Sequence, residues 1–206
     1  MVKIISLFAI VLFCFSIATA QDGHDTEIFG GFSVLRTDYE STPPVPPAPI
    51  IVAFDGDQTL FGFNASVTRY VRSGFGITAD FSYHTRTMKT PNPLGGTIDT
   101  KISVYNILGG AQYKFARSGR VSPFAHVLAG VAHTKVKISG NSLPTVSDGT
   151  TDFAMAFGGG IDIKVNKRFA IRAVQADYNP VFLRGPALGF DGTASNFRLS
   201  FGVVFR

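Results

Sequence analysis

The sequence predicts an all-β chain folded as an eight-stranded, antiparallel, up-and-down transmembrane β-barrel. Three observations predict it. Apolar residues alternate with polar or small ones at period two through most of the chain, which is the pattern of strands and not of helices. Short and long connections alternate along the sequence, as they must when every turn lies at one barrel end and every loop at the other. Only 16% of the 206 residues are charged, while 45% are apolar and 20 are Phe. Surfaces that face water usually carry ~25–35% charged residues.

Composition also excludes classes. Low charge and abundant Phe are the opposite of the signature of disorder. No G-X-Y or heptad repeat is present, which removes collagen and coiled coils.

The first element is a targeting segment. Lys3 supplies a positive start, Ile4 to Ala18 is apolar and uncharged, and Ala18-Thr19-Ala20 forms a cleavage site before Gln21. Residues 1–20 are therefore expected to be a signal peptide and 21–206 the barrel domain. The single cysteine, Cys14, lies in the signal. The mature chain then offers no disulfide and no thiolate ligand. After Ala20 no run of 18 apolar residues occurs, so no membrane helix is expected.

Strands are predicted at about 26–37, 59–71, 74–87, 101–116, 121–137, 151–165, 168–179 and 195–206. In the second, Phe61, Phe63, Ala65 and Val67 alternate with Gly62, Asn64, Ser66 and Thr68. In the third, Phe75, Ile77, Ala79, Phe81 and Tyr83 oppose Gly76, Thr78, Asp80, Ser82 and His84. The fourth sets Tyr105, Ile107, Ala111 and Tyr113 against Asn106, Gly110, Gln112 and Lys114. The sixth sets Phe153, Met155, Phe157, Ile161 and Ile163 against Ala154, Ala156, Gly158, Gly160 and Asp162. The last sets Phe197, Leu199, Phe201, Val203 and Phe205 against Asn196, Arg198, Ser200 and Gly202. The seventh is the least regular. Arg172 and Asp177 fall on opposite phases, which implies either a bulge or a misplaced strand.

Val71–Gly74, Ala116–Arg120 and Val165–Lys167 are tight turns, whereas 38–58, 88–100, 138–150 and 180–194 are long, polar and rich in Pro and Gly. An even strand number puts both termini at the short-turn end. Pro43 to Pro49 reads as a stiff exposed loop with polyproline II character.

Two closed barrels fit this pattern. A soluble lipocalin-like carrier of a hydrophobic ligand is apolar inside, and a membrane barrel is apolar outside. The polar face here is mostly Gly, Ala, Ser, Thr and Asn, which suits a narrow interior better than a wet surface. Tyr70, Phe75, Tyr113, Phe115, Phe169 and Phe205 lie near the short-turn end, where an aromatic girdle belongs.

These features resemble small bacterial outer-membrane β-barrels of the OmpA/OmpX type. The resemblance covers the mature chain. It rests on the signal peptide, on Tyr105-Asn106-Ile107-Leu108-Gly109-Gly110-Ala111-Gln112-Tyr113-Lys114-Phe115 and on the final strand from Asn196 to Phe205. It implies a Gram-negative outer-membrane location, contact with outer-membrane lipids and insertion by the barrel-assembly machinery through the last strand. In that family the closing strand ends on an aromatic residue. Here Phe205 is penultimate and Arg206 is last. A monomer is expected, with an extracellular partner for the long loops and no open pore.

Formal net charge is +5, with a pI near 9.5. The cations do not form one nucleic-acid patch. Arg69, Arg72, Lys114, Arg117, Arg120, Lys164, Lys167, Arg168 and Arg206 all map to the short-turn end, while Asp38, Glu40, Asp55, Asp57, Asp148 and Asp191 map to the long loops. A basic collar on the periplasmic side, centred on Arg72, Arg117, Arg120, Lys167 and Arg168, would meet anionic headgroups.

Asp80, Asn106, His126, Asp162 and Arg198, together with Arg172 or Asp177, are expected to project inward. Isolated charges in a narrow lumen are costly unless paired, so a structural polar network is the predicted role. Catalysis would need a nucleophile beside an oriented base. Some barrels similar to this one modify lipids, which keeps a lipid-modifying enzyme as an alternative. His126, however, is followed by Val127 and Leu128, and neither His84 nor His133 has an evident Ser–acid partner. His24 precedes the first strand. No catalytic, cofactor or metal residues are assigned. Gly109-Gly110 and Gly158-Gly159-Gly160 open no helix, so they read as close packing in the wall and not as phosphate loops.

Overall fold

A computed structural model of the chain describes residues 26–38, 58–91, 96–116, 119–140, 143–183 and 192–206. The expected signal at 1–20, the proline-rich stretch at 43–49 and Arg117 lie outside the described residues. The strands are β1 (Thr26–Asp38), β2 (Gln58–Arg72), β3 (Phe75–Pro91), β4 (Thr97–Lys114), β5 (Val121–Gly140), β6 (Leu143–Lys164), β7 (Phe169–Tyr178), β8 (Val181–Leu183) and β9 (Gly192–Phe205). Successive strands pair antiparallel, and β1 closes the ring on β9 from Ile28–Phe205 to Asp38–Ser195. Within the ring, closure removes the two edges that an open sheet would expose.

β7 and β8 are two pieces of one stave, so the ring has the eight staves that the sequence predicts. Pro180 has no N–H and cannot continue a ladder. Around it side chains supplement the backbone bonds that remain: Asn196 donates through Nδ2 to Asn179 O at 3.0 Å, and Asn179 donates to Met155 O, beside the bonds from Met155 N–H to Pro180 O and from Asn179 N–H to Asn196 O. The stave then resumes, with β8 pairing to both β6 and β9. The sequence reading placed this piece in a loop.

The irregularity of the seventh stave is a bulge. Against β9, the register passes from Arg172–Gly202 to Gln175–Ser200, so one extra residue is accommodated at Ala173-Val174. Ala173 and Val174 are both exposed, and Arg172, Gln175 and Asp177 all point inward. A bulge of this kind re-aims the side chains that follow it.

The long connections are shorter than the sequence implies. Most of 88–100 and 138–150 is strand, because β3 runs to Pro91, β4 starts at Thr97, and β5 and β6 extend to Gly140 and from Leu143. Thr, Val and Ile recur through these segments and suit a pleated strand. β5 and β6, with 20 and 22 residues, project furthest. A strand of ~9–11 residues already crosses a bilayer.

The outer wall is a belt of exposed apolar side chains that includes Phe32, Phe61, Phe63, Ile107, Val127, Phe153, Phe197 and Phe201. Near the short turns, Tyr113 packs edge-on against Phe115 and Phe169 against Phe205, with centroids 5.1 and 5.3 Å apart. Tyr70 does not join that girdle. It shares the inward phase of Ser66 and Thr68 and is buried.

Apolar residues also occupy part of the lumen. Leu35, Leu60, Ile102 and Val104 form one buried cluster, with Met88 against it, and Leu108, Leu128, Ala132, Ala154, Ala156, Val181 and Ala194 form another. The interior is thus not uniformly small and polar, as the alternation alone implied.

Candidate functional site

Toward the short-turn end the lumen is filled by one connected polar network. At its base Glu27 accepts from Tyr70 OH at 3.0 Å and pairs with Lys114, and Arg206 Nε lies 2.8 Å from Glu27 Oε1. Gln112 donates to the Tyr70 hydroxyl at 2.8 Å. Lys114 Nζ also reaches Asp162 Oδ2 at 2.8 Å. Lys114 and Arg206 therefore leave the basic collar that the sequence reading gave them. Both turn inward, where a carboxylate meets them.

Asp162 connects this base to the next level. Arg172 donates through Nε to Asp162 Oδ1 at 2.8 Å and through a terminal nitrogen to Gln175 Oε1 at 2.7 Å. Its guanidinium lies between two rings, 4.3 Å from the Phe29 centroid and 4.1 Å from that of Phe124. Planar, weakly hydrated guanidinium suits such a stacked site.

Gln175 donates to Asp177 Oδ2 at 2.8 Å. Asp177 Oδ1 lies 2.8 Å from His126 Nε2. Arg198, fully buried, donates to Asp177 Oδ2 at 2.9 Å and to Asp80 Oδ1 at 2.7 Å. Asn64 closes the chain by donating to Asp80 Oδ2 at 2.7 Å. Four carboxylates (Glu27, Asp80, Asp162, Asp177) thus face four cations (Lys114, Arg172, Arg198, Arg206). Equal numbers matter here, because an unmatched charge in this enclosure would carry its full desolvation penalty.

Gly158 explains how the network fits against the wall. A Cβ there would fall 2.1 Å from Asp177 Oδ1 and 2.3 Å from Ala176 O. The glycine makes room for the carboxylate that holds His126 and Arg198.

Of the inward residues named from sequence, Asp80, His126, Asp162, Arg198 and both alternatives on the seventh stave, Arg172 and Asp177, are in this network. Asn106 is buried but separate, donating to Ser82 Oγ at 3.1 Å. Sequence reasoning missed Glu27, Tyr70, Gln112, Lys114, Gln175 and Arg206 as members. For Tyr70 and Lys114 the signal was present, since each falls on the inward phase of its strand. For Gln175 the bulge hid it.

His84 has a serine partner but no acid beside it among the described residues. Its Nε2 lies 2.8 Å from Ser33 Oγ, which is 2.9 Å from Ser200 Oγ. The residues come from β3, β1 and β9, so no local motif could reveal them. His84 Nδ1 has no hydrogen-bond partner among the described residues. With no acid to orient the ring and no exposed surface on either residue, the pair lacks the elements of an activated nucleophile. His133 sits outside, 2.8 Å from Thr151 Oγ1. Among the described residues no three of His, Cys, Asp and Glu converge to hold a metal ion.

The turn end carries Arg72, Arg120, Lys167 and Arg168, all exposed. Arg120, Ile163, Lys164, Val165, Asn166 and Lys167 line an open depression of about 500 Å³. This mixed basic and apolar rim lies beside the aromatic girdle.

A family model described as an outer membrane protein beta-barrel domain matches residues 7–205. No curated protein matches the chain in sequence. Among solved structures, the chain is similar to Ail, the attachment invasion locus protein of Yersinia pestis, solved with the heparin analogue sucrose octasulfate. The identity is 20%, the TM-score 0.56, and the match covers 87% of this chain and 97% of that one. Neisserial surface protein A is similar at 12% identity and a TM-score of 0.56, covering 90% of this chain and 99% of the other. At these identities the likeness is one of fold.

Proposed function

The chain belongs to the outer membrane protein β-barrel domain family, and from that premise we infer a closed scaffold that presents its outer hairpins and loops to a partner at the cell surface. It resides in the bacterial outer membrane, which sets aside a soluble carrier. The observation that carries the reading is a contrast along the barrel axis. The lumen is occupied by paired charges and apolar clusters, while β3 to β6 run on past the apolar belt as exposed hairpins. An eight-stranded barrel is just wide enough for its own side chains, so neither a pore nor a catalytic cleft is part of this reading. Loops and hairpins on a rigid frame are where binding is built. Ail, with the same fold, is an attachment protein by name and was solved in complex with a heparin analogue, which supports this reading.

Residues 1–20 serve as the cleaved signal and 21–206 as the barrel. The final strand, ending at Phe205, is the segment offered to the assembly machinery. The polar network is structural, and Arg72, Arg117, Arg120, Lys167 and Arg168 meet anionic phospholipid headgroups of the periplasmic leaflet. The barrel acts as a monomer without a cofactor.

Replacing residues 137–147 by a tight two-residue turn, which joins the cross-strand partners Val136 and Asp148, tests the surface role. Heat-modifiable gel mobility should be kept, and adhesion of expressing cells to epithelial monolayers should fall. Unchanged adhesion with a folded barrel would overturn the hairpin assignment. Steady conductance of the wild type in planar bilayers would overturn the closed lumen.

A further inference from the structure

The outer wall of β3 to β6 is ordered into cross-strand rows. Tyr83, Tyr105, His133 and Thr151 stand directly opposite one another. Phe63 on β2 joins them, and ring centroids step by 5.9, 4.7 and 6.2 Å from Phe63 to His133. Amphipathic rings on a barrel's outer face mark the membrane–water boundary.

Two residues further out, Thr85, Ser103, Lys135 and Gly149 form the next row, and two beyond that, Thr87, Lys101, Lys137 and Ser147. Each step is ~7 Å along a strand. Lys101, Lys135 and Lys137 are all exposed. They therefore emerge from the side of the barrel just outside the aromatic row, at the level of lipid headgroups.

Lys101 and Lys137 are direct cross-strand partners. Like charges in that position are destabilising, and the local acids do not relieve it. Asp99, on the same face, stands opposite Lys89. Asp148 is paired with Val136 on the alternate phase. Immediately outward lies an open polar depression of about 300 Å³ lined by Lys89, Thr97, Asp99, Ser139 and Gly140. Hydroxyl, carboxylate and ammonium groups set around a shallow hollow suit the hydroxyls of a sugar.

We propose that this wall binds the phosphorylated sugar headgroup of a glycolipid in the external leaflet. Lys101, Lys135 and Lys137 take the phosphate, and the depression beyond them takes the sugar ring. The lipid is favoured over a soluble polyanion because the lysines project sideways beside the aromatic row, into space that headgroups fill, and not from a loop tip. An anion there also relieves the Lys101–Lys137 repulsion.

The test uses the refolded full barrel in zwitterionic vesicles containing lipid A or enzymatically dephosphorylated lipid A. Binding to the phosphorylated form should be at least about tenfold weaker for the K101Q/K135Q/K137Q variant than for wild type, given about 1 kcal/mol per basic residue at a charged membrane surface. K101R/K135R/K137R should retain it, which separates charge from folding. The dephosphorylated lipid should bind weakly and equally to all three. Equal binding of lipid A by wild type and the glutamine variant would overturn the site. So would inositol hexakisphosphate or heparin binding to the lysines as tightly as lipid A vesicles do, since the target would then be a soluble polyanion.

Discussion

Arg198 on β9 bridges Asp177 on β7, donating to Asp177 Oδ2 at 2.9 Å, and reaches across the lumen to Asp80 on β3. One guanidinium thus serves two carboxylates from separate staves, all three groups being buried. Arg198→Gln should destabilise the folded barrel by about 3–5 kcal/mol, because it leaves buried charge uncompensated. Adding Asp80→Asn and Asp177→Asn to Arg198→Gln should recover much of that loss. Urea titration in detergent micelles, read by heat-modifiable gel mobility, measures both. A triple variant weaker than the single one would mean that the network is not held chiefly by charge balance.

Arg172→Gln should cost less than Arg198→Gln, by about 1–2 kcal/mol or more. Asp162 keeps Lys114 at 2.8 Å when Arg172 is lost, whereas Asp80 has no second cation in the network. What Arg172→Gln does lose is the stacking between Phe29 and Phe124. The same urea titration ranks the two variants, and an equal or reversed order would contradict the division of labour described.

Deletion of Ala173 should leave the barrel assembled. Without the extra residue of the bulge, Arg172, Val174 and Gln175 alternate regularly against both β6 and β9, so Gln175 and Asp177 still face inward. Deletion of Ala176 should abolish assembly, because the ladder is regular there and the loss of one residue turns Asp177 toward lipid and Tyr178 inward. Outer-membrane fractionation with gel mobility compares the two. A folded Ala176 deletion would show that the register is set elsewhere.

These variants mark where the sequence was legible. Period-two alternation places Asp80, His126, Asp162 and Arg198 on the inner wall without any structure, because a side chain's face in a strand depends only on parity. Parity fails at Ala173-Val174, so Gln175 was invisible. It also cannot say which inward residues meet. The Ser33–His84 contact joins residues 51 apart in sequence, and parity alone does not fix the register between strands. The apolar lumen clusters left a signal that alternation obscured: Leu35, Leu60 and Ile102–Val104 are apolar on the inward phase. The outer loops were misread because turn-forming residues outweighed the β-branched ones between them.

Gly158→Ala should destabilise the barrel by about 1–3 kcal/mol, the usual cost of overpacking. The new methyl would meet Asp177 Oδ1 at 2.1 Å and Ala176 backbone at 2.3 Å, and the backbone cannot swing aside. Gly30→Ala provides the contrast. Nothing lies within 4 Å of a Cβ at that outward position, so its effect should stay within about 0.5 kcal/mol. Equal effects of the two substitutions would show that Gly158 is not there to make room for Asp177.

The basic turns give the last expectation. Arg120, Lys167 and Arg168 are exposed at the short-turn end beside the Phe169–Phe205 pair, and a juxtamembrane basic residue contributes about 1 kcal/mol toward an anionic surface. Reversing all three to Glu should lower folding yield into vesicles containing phosphatidylglycerol by about tenfold or more, with little change in purely zwitterionic vesicles. Ionic strength of 1 M should erase most of the difference, because the Debye length falls to about 3 Å. A yield equally low in both kinds of vesicle would assign these residues to turn stability and not to headgroup contact.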